Sequence, residues 1–193
     1  MRTMWRWRRP EALAAAGLWL AACGGFGEVE QGMVVAAEGE VLTVILDSNP
    51  GGEPRYDRLP PVRVRIPDDP KQMGPAPAAG KLLDLDAAAG RLSIYDETRQ
   101  RIRVIDFELL QRTGNVYSDD PRVRDGALPR VDEQNRTVTL YWPRTRELVT
   151  IRVAEEHLRL PRDAWKAGDE VRYYFKDPGR ALRLMNVSKT HLR

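Results

Sequence analysis

Val62-Arg63-Val64-Arg65-Ile66-Pro67-Asp68-Asp69 alternates apolar and charged side chains until a proline stops it, and Val149-Thr150-Ile151-Arg152-Val153-Ala154-Glu155-Glu156 repeats the pattern later in the chain. Successive side chains of a strand point to opposite faces, so a period of two predicts strands with one wet face. The same signature recurs at Val41–Leu46, Leu83–Asp86, Leu92–Tyr95, Arg101–Val104, Thr137–Tyr141, Val171–Phe175 and Leu182–Leu184. Turn chemistry separates these runs at Glu38-Gly39, Asn49-Pro50-Gly51-Gly52, Ala89-Gly90, Gln134-Asn135 and Asp177-Pro178-Gly179,. The expected fold is mainly β, antiparallel hairpins and meanders. Helix is expected only as a single turn at Asp163–Ala167 behind Pro161. Met73–Ala79, which contains Pro75 and Pro77, reads as a loop,.

The quoted pair also suggests an internal repeat. Each copy continues through a Pro-containing loop, into Gly80-Lys81-Leu82-Leu83-Asp84-Leu85 or Gly168-Asp169-Glu170-Val171-Arg172-Tyr173. Five strands per copy resemble a small oligonucleotide/oligosaccharide-binding (OB-like) barrel, which divides the body into units at 32–107 and 108–193. A competing register aligns Leu85–Val104 with Val131–Val153 as a repeated three-strand meander. Sequence reading alone leaves both open.

The chain has 193 residues, with 31 Lys and Arg against 28 Asp and Glu. Four of the arginines (Arg2, Arg6, Arg8, Arg9) and one acid (Glu11) precede Cys23, so the remainder carries 27 of each sign. A neutral body lacks the basic footprint of a nucleic-acid binder. Residues 1–22 combine a basic start with the uncharged run Ala12–Ala22, the layout of a cleaved signal peptide,. That run is too short to cross a bilayer, which needs about 20 apolar residues. Pro10-Glu11 follows Arg8-Arg9 where a twin-arginine signal needs apolar residues, which favours the general export pathway,.

Leu20-Ala21-Ala22-Cys23 resembles a bacterial lipoprotein lipobox. The resemblance implies a diacylglyceryl group on the Cys23 thiol and cleavage before it, with residues 23–31 as tether. Gly24 rather than Asp after the cysteine implies the outer membrane over the inner. The physical chemistry is consistent: each buried methylene contributes about 0.8 kcal/mol, and two or three chains anchor stably where one does not. The competing reading is a buried free thiol behind an ordinary signal sequence. Cys23 is the only cysteine, so the body has no disulfide and no thiolate metal cage,.

No constellation in the body calls for a catalytic residue, a metal or a cofactor. The alternating arginines Arg63 and Arg65, Arg101 and Arg103, and Arg152 with Arg183 could converge into an anion site, with Arg63, Arg65, Arg152 and Trp142 as the candidate anion or partner surface, since guanidinium forks suit phosphate and carboxylate,. The plainer reading is the wet face of half-buried strands, answered by nearby acids. A small barrel with Trp142-Pro143 invites comparison with periplasmic copper chaperones, but Arg144, Thr145 and Arg146 follow where soft ligands are required,. His157 and His191 are far apart in sequence. Asp119, Asp120 and Asp125 lack calcium-loop spacing. None of the serines sits in a nucleophile elbow, and the carboxylate pairs Asp68/Asp69 and Asp84/Asp86 read as solvated. The aromatics Tyr141, Trp142, Trp165, Tyr173, Tyr174 and Phe175 read as core, with a sugar-stacking platform or docking patch as the alternative.

Cys23, Met73-Gly74-Pro75, the run Trp165 to Arg172 that contains Gly168-Asp169-Glu170, and Met185-Asn186-Val187-Ser188-Lys189 together resemble an uncharacterised lipoprotein family of sulfate-reducing bacteria. The resemblance implies export and the fold, and supplies no catalytic or binding residue. The expected role is a non-catalytic accessory or scaffold of the cell envelope. It would be joined to the membrane through Cys23 and to an envelope protein, with no nucleic acid. The alternative is a periplasm-facing module binding a small anion or a glycan.

Overall fold

The computed structural model describes residues 26–126 and 128–190. Leu20, Ala21, Ala22 and Cys23 lie outside them. Twelve strands run β1 (Glu28–Glu38), β2 (Val41–Asp47), β3 (Tyr56–Arg65), β4 (Leu82–Asp86), β5 (Arg91–Asp96), β6 (Arg101–Asp106), β7 (Glu108–Thr113), β8 (Arg130–Asp132), β9 (Thr137–Trp142), β10 (Glu147–Arg152), β11 (Glu170–Phe175) and β12 (Ala181–Asn186). Helix is limited to single turns, α1 (Pro121–Arg124), α2 (Glu155–Leu158) and 3₁₀ turns at Pro70–Gln72 and Arg162–Trp165. The protein is mainly β and antiparallel, in three sheets ordered β12-β11-β1-β2-β3, β4-β5-β6 and β7-β10-β9-β8.

The strands do not sort into two successive barrels. The boundary expected at 107/108 falls in the link between β6 and β7, yet β11 and β12 return to pair with β1, Gly32 opposite Val171 and Glu30 opposite Tyr173. The five-stranded sheet is therefore built from both ends of the described chain, and the other two sheets come from the middle. Its edge strands approach at one point, where Arg65 and Arg180 form a parallel bridge and Arg65 N–H donates to Gly179 O at 2.8 Å. A single bridge does not close a barrel, so the expected barrels appear as open sheets. Glu28–Gln31, assigned to the tether on polarity, begin β1; their outer face is not covered by another layer, so polar side chains are tolerated there.

The meanders β4-β5-β6 and β8-β9-β10 share one pairing. Leu85 opposite Leu92 and Ser93 opposite Val104 correspond to Val131 opposite Val138 and Thr139 opposite Thr150. Each has two four-residue turns whose last residue takes positive φ: Gly90 and Gln100 in one, Arg136 and Arg146 in the other. The amide after each meander closes back on the first turn, Phe107 N–H to Gly90 O at 2.8 Å and Val153 N–H to Arg136 O at 3.2 Å.

Three cores follow from these faces. Val34, Leu42, Val44, Val64, Val171, Tyr173 and Leu184 fill the concave side of the five-stranded sheet. Met33, Val35 and Ile45 on its other side meet Leu83 and Tyr95 of the β4-β5-β6 sheet. The opposite face of that middle sheet packs Leu92, Ile94 and Ile105 against Val138, Leu140, Trp142, Val149 and Ile151, with Trp165 completing the layer.

The links between sheets cross where the two repeated glycines meet. Gly80 N–H donates to Val34 O at 3.1 Å, Val34 N–H to Asp169 O at 3.0 Å, and Asp169 N–H to Ala78 O at 2.8 Å. Beside this crossing, the Asp169 carboxylate accepts from Ala78 N–H (2.7 Å), the Asn186 amide (2.9 Å) and Lys189 Nζ (2.9 Å). Asn186, fully buried, also donates to Pro75 O at 3.2 Å, and Ser188 Oγ accepts from Glu170 N–H at 2.8 Å. The stretches Met73–Pro75, Trp165–Arg172 and Met185–Lys189 thus converge. They form the joint that ties the chain's last strand to its middle, where the Asp169 carboxylate and the buried Asn186 amide are both partnered, as burial demands,.

Candidate functional site

A cleft of 720 Å³ opens between the β2–β3 loop, the β4–β5 turn and the start of β10. Asp47, buried at the end of β2, shapes the first wall: its Oδ1 accepts from Asn49 N–H (2.9 Å) and Arg55 N–H (2.8 Å), which closes the loop. Asp86 shapes the second by accepting from Ala88 and Ala89 N–H at 3.1 and 2.8 Å. Across the cleft Arg112 of β7 donates through Nε to Glu147 Oε1 at 2.9 Å. This bond holds the Arg112 guanidinium above its ordinary pKa.

Tyr56 stands at the inner end. It lines both this cleft and a smaller hollow of 150 Å³ bounded by Trp142, Arg144, Gly168, Glu170 and Ser188. The Arg144 guanidinium lies between two rings, 5.3 Å from the Tyr56 centroid and 5.3 Å from that of Trp142, a cation–π sandwich,. Its Nη1 is 3.7 Å from Asp84. Burial pushes the Tyr56 hydroxyl above its ordinary pKa, and the Glu170 charge adds in the same direction.

The chemistry of the cleft is that of a hydrogen-bonding surface. A general acid or base works best when it titrates near the operating pH. The two shifted groups here move the other way: Tyr56 is held protonated and Arg112 charged at neutral pH. Five carboxylates (Glu53, Asp57, Asp84, Asp86, Glu147) face two arginines (Arg55, Arg112) across the opening. That balance repels anions and suits hydroxyl-rich or cationic groups. Among the described residues no three His, Cys, Asp or Glu stand together in a way that could hold a metal ion.

Of the residues singled out by sequence, the pair Asp84 and Asp86 lines this cleft, whereas Arg63, Arg65, Arg152 and Trp142 do not. Arg65 pairs with Glu40 at 2.7 Å and Asp68 at 3.9 Å, Arg63 reaches Glu38 only at 4.0 Å, and Arg152 pairs with Glu108 at 2.6 Å. Arg63 and Arg65 lie on β3 and Arg152 on β10, in different sheets. Trp142 is not at the surface: it is 2% exposed, inside the core between the two smaller sheets. Of the aromatic cluster, Trp165 and Tyr173 are likewise buried. Tyr56 and Arg144, which shape the site, carried no local signal, because they meet only through the approach of two sheets.

Fold and site define a class: an antiparallel three-sheet β protein with a polar cleft at the sheet junction. The chain belongs to the family described as Domain of unknown function (DUF4881), whose model matches residues 25–193. No curated protein and no solved structure matches it. Among the described residues no helix is long and apolar enough to cross a membrane.

Proposed function

We propose that this protein is an exported bacterial lipoprotein, cut before Cys23 and held at the outer membrane by acyl chains on that residue, acting as a non-catalytic accessory or scaffold of the cell envelope. The observation that carries the reading is Leu20-Ala21-Ala22-Cys23 behind a basic, then apolar leader. The family match beginning at residue 25 supports a body that starts just after the cysteine. The cleft, whose shifted groups are locked in their ordinary charge states, supports binding over turnover. Cys23→Ser tests the reading. The parent is expected to pellet with membranes and to carry acyl mass on Cys23, and the variant, once freed of its leader, to be soluble and periplasmic; an equally membrane-held, leader-free variant refutes it.

The connectivity supports an OB-type origin for the five-stranded sheet, since β3 and β12 meet in parallel as the third and fifth strands of such a barrel do, and OB barrels are partly open,. The middle sheets are then an insertion, and the shared pairing of the meanders supports their being copies of one unit.

One observation favours a second reading, a glycan-binding module. The 720 Å³ cleft falls in the 300–1,000 Å³ size range of ligand sites,. Its excess of carboxylates favours sugar hydroxyls over a small anion. Thermal-shift titration of the purified body with cell-wall saccharides and with inorganic phosphate separates the cases. A saccharide that raises the midpoint, with Asp84→Ala abolishing the rise, supports it; no shift with any saccharide removes it.

A further inference from the structure

The outer face of β1 is covered over only half its length. Val29, Gln31, Met33 and Val35 point the same way along the strand. Met33 and Val35 are buried against Leu83 and Tyr95 of the middle sheet, whereas Val29 is 60% exposed. The uncovered half continues across the neighbouring strands. Val29 lies opposite Tyr174 and Tyr174 opposite Arg183; Gln31 lies opposite Arg172 and Arg172 opposite Met185. Leu182, set out by the irregularity in β12, and Met185 are 40% and 38% exposed, and these side chains rim a shallow groove of 550 Å³.

The two cations on this face, like Arg91, Arg101 and Arg130 on the smaller sheets, form no ion pair among the described residues. Arg58, Arg65, Arg112 and Arg152 each pair with a carboxylate. Arg172 and Arg183 instead donate to neutral amide oxygens, of Gln31 at 2.8 Å and Gln72 at 3.2 Å, and neither forms an ion pair among the described residues. The face is thus apolar at its centre and carries two guanidinium groups outside ion pairs, with one carboxylate, Glu170, bonded to the Gln31 amide at its edge, a composition that suits a headgroup layer of anionic phosphates over acyl chains. Contiguous exposed apolar patches on soluble proteins mark interaction sites.

The chain enters beside this patch. Gly27 N–H donates to Tyr174 Oη at 3.3 Å, and Phe26 is 99% exposed. Cys23 is three residues before Phe26, a reach of at most roughly 11 Å at about 3.6 Å per residue, whatever its conformation. The headgroup region is itself about 5–8 Å deep on each side of the bilayer. A lipid on Cys23 therefore keeps Phe26, and the edge of this face beside it, close to the headgroup layer.

We propose that the face formed by Val29, Tyr174, Leu182 and Met185, with Arg172 and Arg183, lies against the bilayer in which Cys23 is anchored, the apolar side chains at the headgroup boundary and the guanidinium groups on anionic lipid phosphates. The proposal rests on the lipoprotein reading and adds an orientation to it: the cleft and the smaller sheets are presented away from the membrane.

The test uses the full-length chain, matured in cells and reconstituted in vesicles of phosphatidylethanolamine and phosphatidylglycerol. Lipidated Cys23 has no free thiol, so Met185→Cys, Val29→Cys and Gln134→Cys, the last in the β8–β9 turn of the far sheet, each offer one site for an environment-sensitive fluorophore. Labels at 29 and 185 are expected to be quenched several-fold more by nitroxide lipids than the label at 134, which responds to water-soluble quencher. Adding Arg172→Glu with Arg183→Glu is expected to reduce the lipid quenching at 185 while the protein stays on the vesicles. Equal water exposure at 185 and 134 on vesicle-bound protein overturns the orientation and leaves the anchor standing. A label at 185 shielded from both quenchers also overturns it, since a second copy or another protein then covers the face. A leader-free Cys23→Ser chain that floats with the vesicles as firmly as the parent defeats the lipoprotein reading itself.

Discussion

Gly168→Ala is expected to lower the unfolding midpoint by roughly 6–12 °C. A Cβ at this position would stand 2.0 Å from Val34 O and 3.1 Å from Gly80 N and O. All three are backbone atoms, so no side chain can rotate away. The strand or the crossing link must move, which strains the Gly80–Val34 and Val34–Asp169 hydrogen bonds. Overpacking costs typically 1–3 kcal/mol and occasionally more, and two weakened buried bonds add about 1 kcal/mol each, so about 3 kcal/mol is a conservative figure. For a chain of this size, 1 kcal/mol shifts the midpoint by about 2–4 °C. Gly39→Ala is the control. Gly39 has φ of +57° but open space around its Cβ position, so only the left-handed backbone penalty of about 1–2 kcal/mol applies. Thermal unfolding followed by circular dichroism compares them; a Gly168→Ala midpoint no lower than that of Gly39→Ala would refute the close crossing.

The second large effect is expected from Trp165→Ala, at about 3–5 kcal/mol. Trp165 is fully buried at the end of its 3₁₀ turn and closes the core between the two smaller sheets. Its removal empties the space where Leu82, Ala164 and the β9–β10 face meet. Trp165→Phe is expected to cost less than half as much, because the indole Nε1 is buried without a hydrogen-bond partner. Phe removes that unsatisfied donor along with some volume, and a buried unpaired polar group costs about 1–3 kcal/mol on its own. Urea unfolding of the three proteins measures the ordering. Equal losses for Ala and Phe would mean that the ring volume is not what the core depends on.

Most of the strands were legible because the pattern that makes them is local. Val41–Leu46 and Thr137–Tyr141 alternate since one face is dry and the other wetter, and they lie within β2 and β9; Arg101–Val104 lies within β6, although its Val104 is 59% exposed and Ile105 is the residue buried there. The exceptions are the strands without that contrast. β7, Glu108-Leu109-Leu110-Gln111-Arg112-Thr113, is an edge strand exposed along nearly all its length, and β8 has three residues. Neither has enough buried residues to impose a period.

The candidate site was legible in pieces. Asp84 and Asp86 were noticed as a carboxylate pair and Arg144 as a residue unsuited to bind copper, but nothing near Tyr56 in the sequence announces that Arg144 will stack on it. The strand arginines show the converse. Their alternation revealed the strands, while the carboxylates that neutralise Arg65 and Arg152 come from Glu40 and Glu108, more than twenty residues away.

The amino-acid sequence by itself determined what depends on neighbours along the chain: the antiparallel hairpins, their turns and the scarcity of helix. Only the tertiary structure decided which hairpins share a sheet, placing β11 and β12 beside β1 and leaving the middle of the chain to form its own layers. The reason is that turn geometry and alternating burial act over a few residues, whereas strand partners are chosen by the matching of whole apolar faces and by where the backbone can cross. Here that crossing is possible because Gly80 and Gly168, far apart in sequence, present no side chain where they meet.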